Sequence, residues 1–320
     1  MSELSPEAVL WNLERGALAT KALGVAADLG VADVLASGPR RVDDLAKEVG
    51  ADADVLHRLL RALASDGVFA EEDTGVFANT EASDLLRRGR PGSWKEFAHL
   101  FGGVFYAATH TLDPRTSEPT FVRTFETDFW SWLAAHPDER ATFDRAMSGG
   151  KGAGASRLAE LEWHPDETVV DVGGGNGALV RALLALRPEL RGIVFDLPET
   201  DRDEASFGDR IGFVAGSFFE RVPAGDTYVL SAILHDWNDE AAATILRTIR
   251  AAAPPNARLL VIDSVVPAGN EPDGAKWLDL LMLVLAGGRE RSEEQWRLLL
   301  GAAGFRIERL EDGLIEARCP

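Results

Sequence analysis

An apolar strand that runs into four glycines and then a helix limits what this chain can be more than any other feature. The segment reads Val170-Asp171-Val172-Gly173-Gly174-Gly175-Asn176-Gly177, and a helical pattern follows over 178–186. Glycine lets a backbone bend sharply, and it lets a ligand approach where a Cβ would exclude it. An ordinary strand-to-helix turn does not need four of them. Gly173-x-Gly175-x-x-Ala178 passes for a dinucleotide fingerprint, a weak signal on its own. Asp171 turns the pattern into Asp-x-Gly-x-Gly-x-Gly, which suits a nucleoside without a pyrophosphate.

The flanking sequence places that turn in an α/β domain. Strands are predicted over 168–172, 191–195, 211–214, 227–231 and 258–262, with late strands near 305–309 and 314–317. Helical stretches cover 178–186, 241–253, 276–285 and 293–303. Such alternation predicts a mainly parallel, doubly wound sheet with ligands at the carboxyl ends of its strands.

Two strand ends carry candidate chemistry. The second reads Val194-Phe195-Asp196-Leu197-Pro198, so Asp196 stands where an acid takes a ribose diol in nucleotide folds. A helix cap is its plainer reading. The fourth reads Leu230-Ser231-Ala232-Ile233-Leu234-His235-Asp236-Trp237-Asn238-Asp239-Glu240. His235, flanked by Trp237, falls where the sheet opens to ligand, which makes it the candidate catalytic base. Asp236 and Asp239 have capping as their plainer reading, with Asn238 or Asp236 as the N-cap. A metal held by His235, Asp236 and Asp239 is disfavoured because their directions diverge across a strand–helix turn, and no metal is expected. Asp263, after the fifth strand, and Glu290, after Gly287-Gly288-Arg289, could each orient and charge-stabilise an imidazole.

The N-terminal part is built differently. Leu10, Leu13, Ala17, Leu18, Ala22 and Val25 recur at helical spacing, in a segment apolar enough to lie against another subunit. Helices are predicted over 42–49, ended by Gly50, and over 55–65, capped by Asp52 or Asp54. A hairpin pattern follows, Val68-Phe69-Ala70 and Val76-Phe77-Ala78. This is a winged-helix arrangement, which raises DNA binding. Against it, the wing carries Glu71, Glu72 and Asp73, the second helix offers only Arg58 and Arg61, and the formal charge is −19. A phosphate-gripping surface needs the opposite sign. Residues 91–150 are rich in aromatics, from Trp94 and Phe97 to Trp130, Trp132 and Phe143, which serve a core or a pocket for a flat ligand. Ser148-Gly149-Gly150-Lys151-Gly152 reads as a flexible junction. The chain has no apolar run long enough to span a bilayer and no basic leader at its start. A single cysteine, Cys319, excludes a disulfide framework, and a cytoplasmic location is expected.

Taken in order, Asp-x-Gly-Gly-Gly-x-Gly, Phe-Asp-Leu-Pro, Gly-x-Phe-Phe, Leu-His-Asp-Trp-x-Asp and Gly-Gly-x-Glu-Arg-Ser resemble the S-adenosylmethionine-dependent small-molecule O-methyltransferases. These include plant phenylpropanoid enzymes and bacterial enzymes that tailor aromatic natural products. The resemblance covers nearly the whole chain. It implies an N-terminal winged-helix dimerisation domain over 1–95, linking helices over 96–150 that contribute to an acceptor pocket, and a Rossmann-like methyltransferase domain over 151–320. It implies S-adenosyl-L-methionine as cofactor and S-adenosyl-L-homocysteine as product. Asp171, Gly173 and Gly175 would meet the methionine end of the donor, Asp196 and Leu197 the ribose, and Ser217 and Phe218 the adenine. Ser231 would contact the donor carboxylate, with Trp237 close by. His235 would be the base, flanked by Asp263 and Glu290. Phe143, Met147, Asp236 and Met282 would line the acceptor pocket.

The implied partners are a small aromatic acceptor and a second copy of the chain, bound through the N-terminal domain, with no nucleic acid or membrane. Two departures stand out: Ser217 where many relatives carry Asp, and Asp263 where the plant enzymes carry Glu. The alternatives are a relative that hydroxylates, decarboxylates or methylates carbon or nitrogen, a winged-helix regulator with a sensing domain, and an NAD enzyme.

Overall fold

The computed structural model describes residues 5–90, 92–116, 118–149, 151–200 and 208–320. Its contacts divide the chain into two units, 1–110 with 138–149, and 111–137 with 150–320. The aromatic helices are thereby shared out: Thr120–Phe125 and Phe129–Ala135 fall in the second unit, and all of Pro137–Ser148 beyond its first residue in the first.

The first unit opens with a single helix, Pro6–Asp28, whose N-cap Ser5 accepts from the Ala8 amide at 3.2 Å. Gly24, Ala26 and Ala27 on its inner face are buried. Small residues there let the helix Lys95–Gly102 come close. A Cβ on Gly24 would lie 2.9 Å from the Gly102 Cα. The outer face leaves Leu10, Trp11, Leu13 and Leu18 each at least 60% exposed. The helix Val42–Val49 ends at Gly50, whose φ of 70° is the left-handed conformation that stops a helix. In the next helix, Ala53–Ser65, Asp52 accepts the Asp54 and Val55 amides at 3.0 Å, and Leu56, Leu60 and Leu63 turn inward. The wing strands β2 (Phe69–Asp73) and β3 (Val76–Asn79) are joined by a two-residue strand β1 (Arg40–Arg41) in the antiparallel order β1-β3-β2.

The second unit holds a seven-stranded sheet of β4 (Thr168–Val172), β5 (Arg191–Asp196), β6 (Ile211–Ala215), β7 (Thr227–Ser231), β8 (Arg258–Ile262), β9 (Arg306–Glu311) and β10 (Leu314–Arg318). The order is β6-β5-β4-β7-β8-β10-β9, parallel except that β10 runs antiparallel to β8 and β9. A dinucleotide fold orders its strands 3-2-1-4-5-6. Here the last strand is inserted antiparallel between the fifth and sixth, so the sheet departs from an NAD domain at that edge.

Period-two alternation builds a core on each face. Val170, Val172, Tyr228, Leu230, Leu259 and Val261 pack with Ile245, Ile249, Trp296 and Leu300. The intervening Val169, Val194, Val229 and Leu260 pack with Leu158, Leu179, Val180 and Leu183 on the other face. Strands buried on both faces read as unbroken apolar runs, which is why they were legible. One expectation is corrected here: Lys151 and Gly152 are no flexible junction but the first turn of a helix, Lys151–Ala159.

Candidate active site

In an open sheet, ligands bind beyond the strand carboxyl ends where the order reverses. That point lies between β4 and β7. Gly173, Gly175 and Gly177, just after β4, have φ of 72°, 57° and 76°, which side chains avoid. A Cβ on Gly174 would sit 2.7 Å from the Asp171 carboxyl carbon, whereas one on Gly175 would point into open space.

Asp196 ties this turn to β5. Its Oδ2 accepts the Gly175 amide at 2.7 Å, and its Oδ1 accepts the Leu197 amide and the Thr200 hydroxyl, each at 2.7 Å. A carboxylate oxygen has two lone pairs, so Oδ2 keeps one for a further donor. The Leu197 side chain is exposed beside it. Asp171 is buried, and its Oδ2 has no hydrogen-bond partner among the described residues. Burial pushes its carboxyl up to about 6, against the opposing field of Lys151.

Aromatic rings close one side. Phe218 and Phe219 meet Trp237 edge-on, with centroids 6.0 and 4.8 Å away. Trp130 lies nearly parallel to Trp237 at 6.4 Å. Phe218 also borders the glycine turn, 3.6 Å from where a Gly173 Cβ would stand. Ser217 accepts the Phe219 amide at 3.3 Å.

His235 lies in a short turn, Leu234–Asp236, after β7. Its Nδ1 faces Glu290 Oε1 at 2.6 Å, and its Nε2 is 3.6 Å from Asp236 Oδ1. An ionised carboxylate only accepts, so Nδ1 carries a proton and Nε2 is the basic atom of the neutral ring. The Glu290 side chain is fully buried. Asp263 is buried nearby, and neither of its oxygens has a hydrogen-bond partner among the described residues. Of the two acids, Glu290 is the one hydrogen-bonded to the imidazole, and Asp263 reaches it through its field. Burial pulls His235 down, but Asp236, Asp263 and the Glu290 hydrogen bond outweigh it and push it up to about 10. Burial raises Asp236 to about 6 and Asp263 to about 7, although His235 pulls both down.

The turn is clamped from outside by one pentapeptide, Gly287-Gly288-Arg289-Glu290-Arg291. A Cβ on Gly288 would run into the His235 carbonyl oxygen. The Arg289 amide donates to that same oxygen at 2.8 Å. Arg291, fully buried, donates to the Leu234 and Trp237 carbonyls at 2.9 and 2.8 Å and to Asp239 at 2.9 Å. The helix Asp239–Ala252 is capped by Asn238, which accepts the Ala241 amide at 3.0 Å. The capping reading of Asp236 and Asp239 is therefore corrected: Asp236 faces His235, and Asp239 pairs with Arg289 and Arg291.

Ser231 is buried at the end of β7, where both its carbonyl and its hydroxyl meet Lys151 Nζ, at 2.8 and 3.1 Å. Met282 is buried on the helix Gly274–Leu285, and its carbonyl accepts the Gly288 amide at 3.2 Å. Phe143 and Met147 are half-buried on the helix Pro137–Ser148 of the first unit. Sequence reasoning assigned no role to Lys151, Gly288 or Arg291. For Arg291, an arginine inside a Gly-Gly-x-Glu-Arg run was the available signal. Among the described residues, no group of His, Cys, Asp and Glu is arranged to hold a metal ion.

The strand order, the glycine turn, the acid after β5 and the His–acid cluster define an S-adenosylmethionine-dependent methyltransferase. The comparisons with known proteins sharpen this. The family model for an O-methyltransferase domain matches residues 105–306, and that for an O-methyltransferase dimerisation domain matches residues 11–89. The chain belongs to this O-methyltransferase family. It is 40% identical to the phenazine O-methyltransferase of Lysobacter antibioticus, over 94% of this chain and 92% of that one. It is 33% identical to the phenazine-1-carboxylate N-methyltransferase of Pseudomonas aeruginosa, over 99% and 97% of the two chains. It is also similar to the crystal structure of an O-methyltransferase from neocarzinostatin biosynthesis in complex with S-adenosyl-L-homocysteine and 1,4-dihydroxy-2-naphthoic acid. That likeness has a TM-score of 0.78 and 35% identity, over 94% of this chain and 96% of the other.

Proposed function

We propose that this chain methylates a hydroxyl group on a flat aromatic small molecule, with His235 as the base. The observation that carries the reading is the buried His235–Glu290 pair, which leaves Nε2 as the basic atom of the neutral ring on the turn that follows β7. When bound, S-adenosylmethionine supplies a methyl group on a sulfonium, ready for in-line displacement. Three features of this chain suit it: the open space at Gly175, the spare lone pair of Asp196 Oδ2, and the Oδ2 of buried Asp171, which has no partner among the described residues. Asp196 would hold the ribose, with Ser217 and Phe218 toward the adenine.

The chemistry left to the protein is positioning and proton removal. A phenol has a pKa of about 10, so little phenolate exists at neutral pH. His235 Nε2 would take that proton as the new bond forms, and Glu290 would hold the resulting imidazolium. The nearly parallel rings of Trp130 and Trp237 would offer an apolar face to a planar acceptor.

Calorimetry with S-adenosyl-L-homocysteine, then turnover on a panel of phenols, tests the reading. Binding in the micromolar range and methylation of at least one hydroxylated arene are expected; absence of binding overturns it. Asp196→Ala should weaken S-adenosyl-L-homocysteine roughly 10- to 100-fold, since it removes both a ribose partner and the anchor of Gly175.

The N-methyltransferase relative favours a second reading, transfer to a ring nitrogen. An aromatic nitrogen with a free lone pair needs no base. Retention of most turnover in His235→Ala, on a nitrogen acceptor, would select that reading over the first.

The dimerisation-domain match and the bare face of the helix Pro6–Asp28 support a homodimer. Leu18→Glu places a charge at the most exposed of its leucines. Light scattering should then read one protomer for the variant and two for the parent chain.

A further inference from the structure

We infer that Lys151 is a donor-binding residue that receives the carboxylate of the cofactor's amino-acid end. This rests on the donor-site reading above. Lys151 begins the helix Lys151–Ala159, and its Nζ donates to the carbonyl of Ser231 at 2.8 Å and approaches the Ser231 hydroxyl at 3.1 Å. An ammonium has three donors, so one remains beyond these two. Ser231 closes β7, next to the strand-order reversal and the glycine turn.

The charges around it make a cation there necessary. The fields of Asp171, Asp263 and Asp236 all reach the Lys151 ammonium and favour its charged form. Among the described residues, Oδ2 of buried Asp171, both carboxylate oxygens of buried Asp263 and Oε2 of buried Glu290 have no hydrogen-bond partner. That acidic surround suits the sulfonium and the ammonium of the donor. It repels the donor's carboxylate, which would have to enter among like charges. Lys151 supplies the opposite sign at the end of β7. Burial disfavours its charged form, so an incoming carboxylate would relieve a cation that solvent reaches poorly. Ser231 then has a double part: it steers the ammonium through its carbonyl and hydroxyl, and that hydroxyl stays free to donate to the same carboxylate.

The test compares two ligands that differ only at the group in question. S-adenosyl-L-homocysteine carries the carboxylate, and its decarboxylated form, the 3-aminopropyl thioether of adenosine, does not. Calorimetry is run with the parent chain, Lys151→Met and Lys151→Arg. Lys151→Met should weaken S-adenosyl-L-homocysteine ~10- to 100-fold and leave the decarboxylated ligand unchanged. Lys151→Arg should recover part of the loss. Equal loss of both ligands would assign Lys151 a structural part in holding β7, and no loss of either would remove it from the site; both outcomes overturn the proposal. Failure of the parent chain to bind S-adenosyl-L-homocysteine would instead overturn the donor-site reading itself. Thermal melting of each variant identifies one that does not fold, in which case Lys151→Arg alone carries the comparison through its ratio of the two affinities.

Discussion

His235→Ala is expected to lower kcat on a phenolic acceptor by roughly 10²- to 10⁴-fold, the usual worth of a positioned base. The affinity for S-adenosyl-L-homocysteine should hardly change, because the imidazole points to Glu290 and Asp236 and not to the glycine turn. The pH profile adds a sharper signature. With the imidazole held near 10, its proton leaves only at high pH, so the free enzyme at neutral pH carries an imidazolium. The reacting complex contains one proton shared between Nε2 and the acceptor oxygen. It forms from neutral imidazole and phenol, or equally from imidazolium and phenolate. For an acceptor whose own pKa is about 10, kcat/KM should therefore climb through neutrality toward alkaline pH. For a more acidic acceptor the climb should begin earlier and flatten sooner. In a series of phenols at fixed neutral pH, kcat/KM should rise as the acceptor becomes more acidic. A flat pH profile, or full turnover in the alanine variant, would remove His235 from proton transfer.

Arg291→Met should cost about 3–5 kcal/mol of stability, the range for stripping one partner from a buried charged network. The side chain is fully buried, so the variant keeps its bulk and loses its donors. The Leu234 and Trp237 carbonyls would then lie buried without them. Asp239 suffers less, because it is half exposed and water can take over. At the stability scale of a domain this size, the melting temperature should fall by roughly 6–20 °C. Residual activity at low temperature should fall as well, since the freed turn is the one that aims His235. A shift of a degree or two, with normal turnover, would contradict the clamp described here.

Much of this molecule was written in local pattern. The strands of the large sheet are apolar runs because both faces are covered, and the glycines after β4 mark backbone that only glycine adopts readily. Gly50 and Asp52 fixed the wing helices through their end chemistry. What stayed hidden depends on distance along the chain. Sequence left Glu290 and Asp263 as equal partners for His235. Only the fold shows that Glu290 reaches Nδ1 while the Asp263 carboxylate has no hydrogen-bond partner among the described residues. Lys151 was hidden by its glycine neighbours, which read as a joint although Lys151 and Gly152 begin a helix. The two-residue strand β1 was too short to leave a pattern, and the aromatic helices gave no sign that contacts would divide them between two units.

The clamp on His235 has a consequence for how such chains can be recombined. His235 and Glu290 are 55 positions apart, yet the two segments mate through backbone atoms, down to a glycine that has room for no Cβ at all. Fit of this kind belongs to a pair of segments, not to either alone. A genetic crossover between 235 and 291 joins a turn from one parent to a brace from another. Crossovers outside that interval pass both on together. By this measure the stretch from the end of β7 to the pentapeptide exchanges as one block.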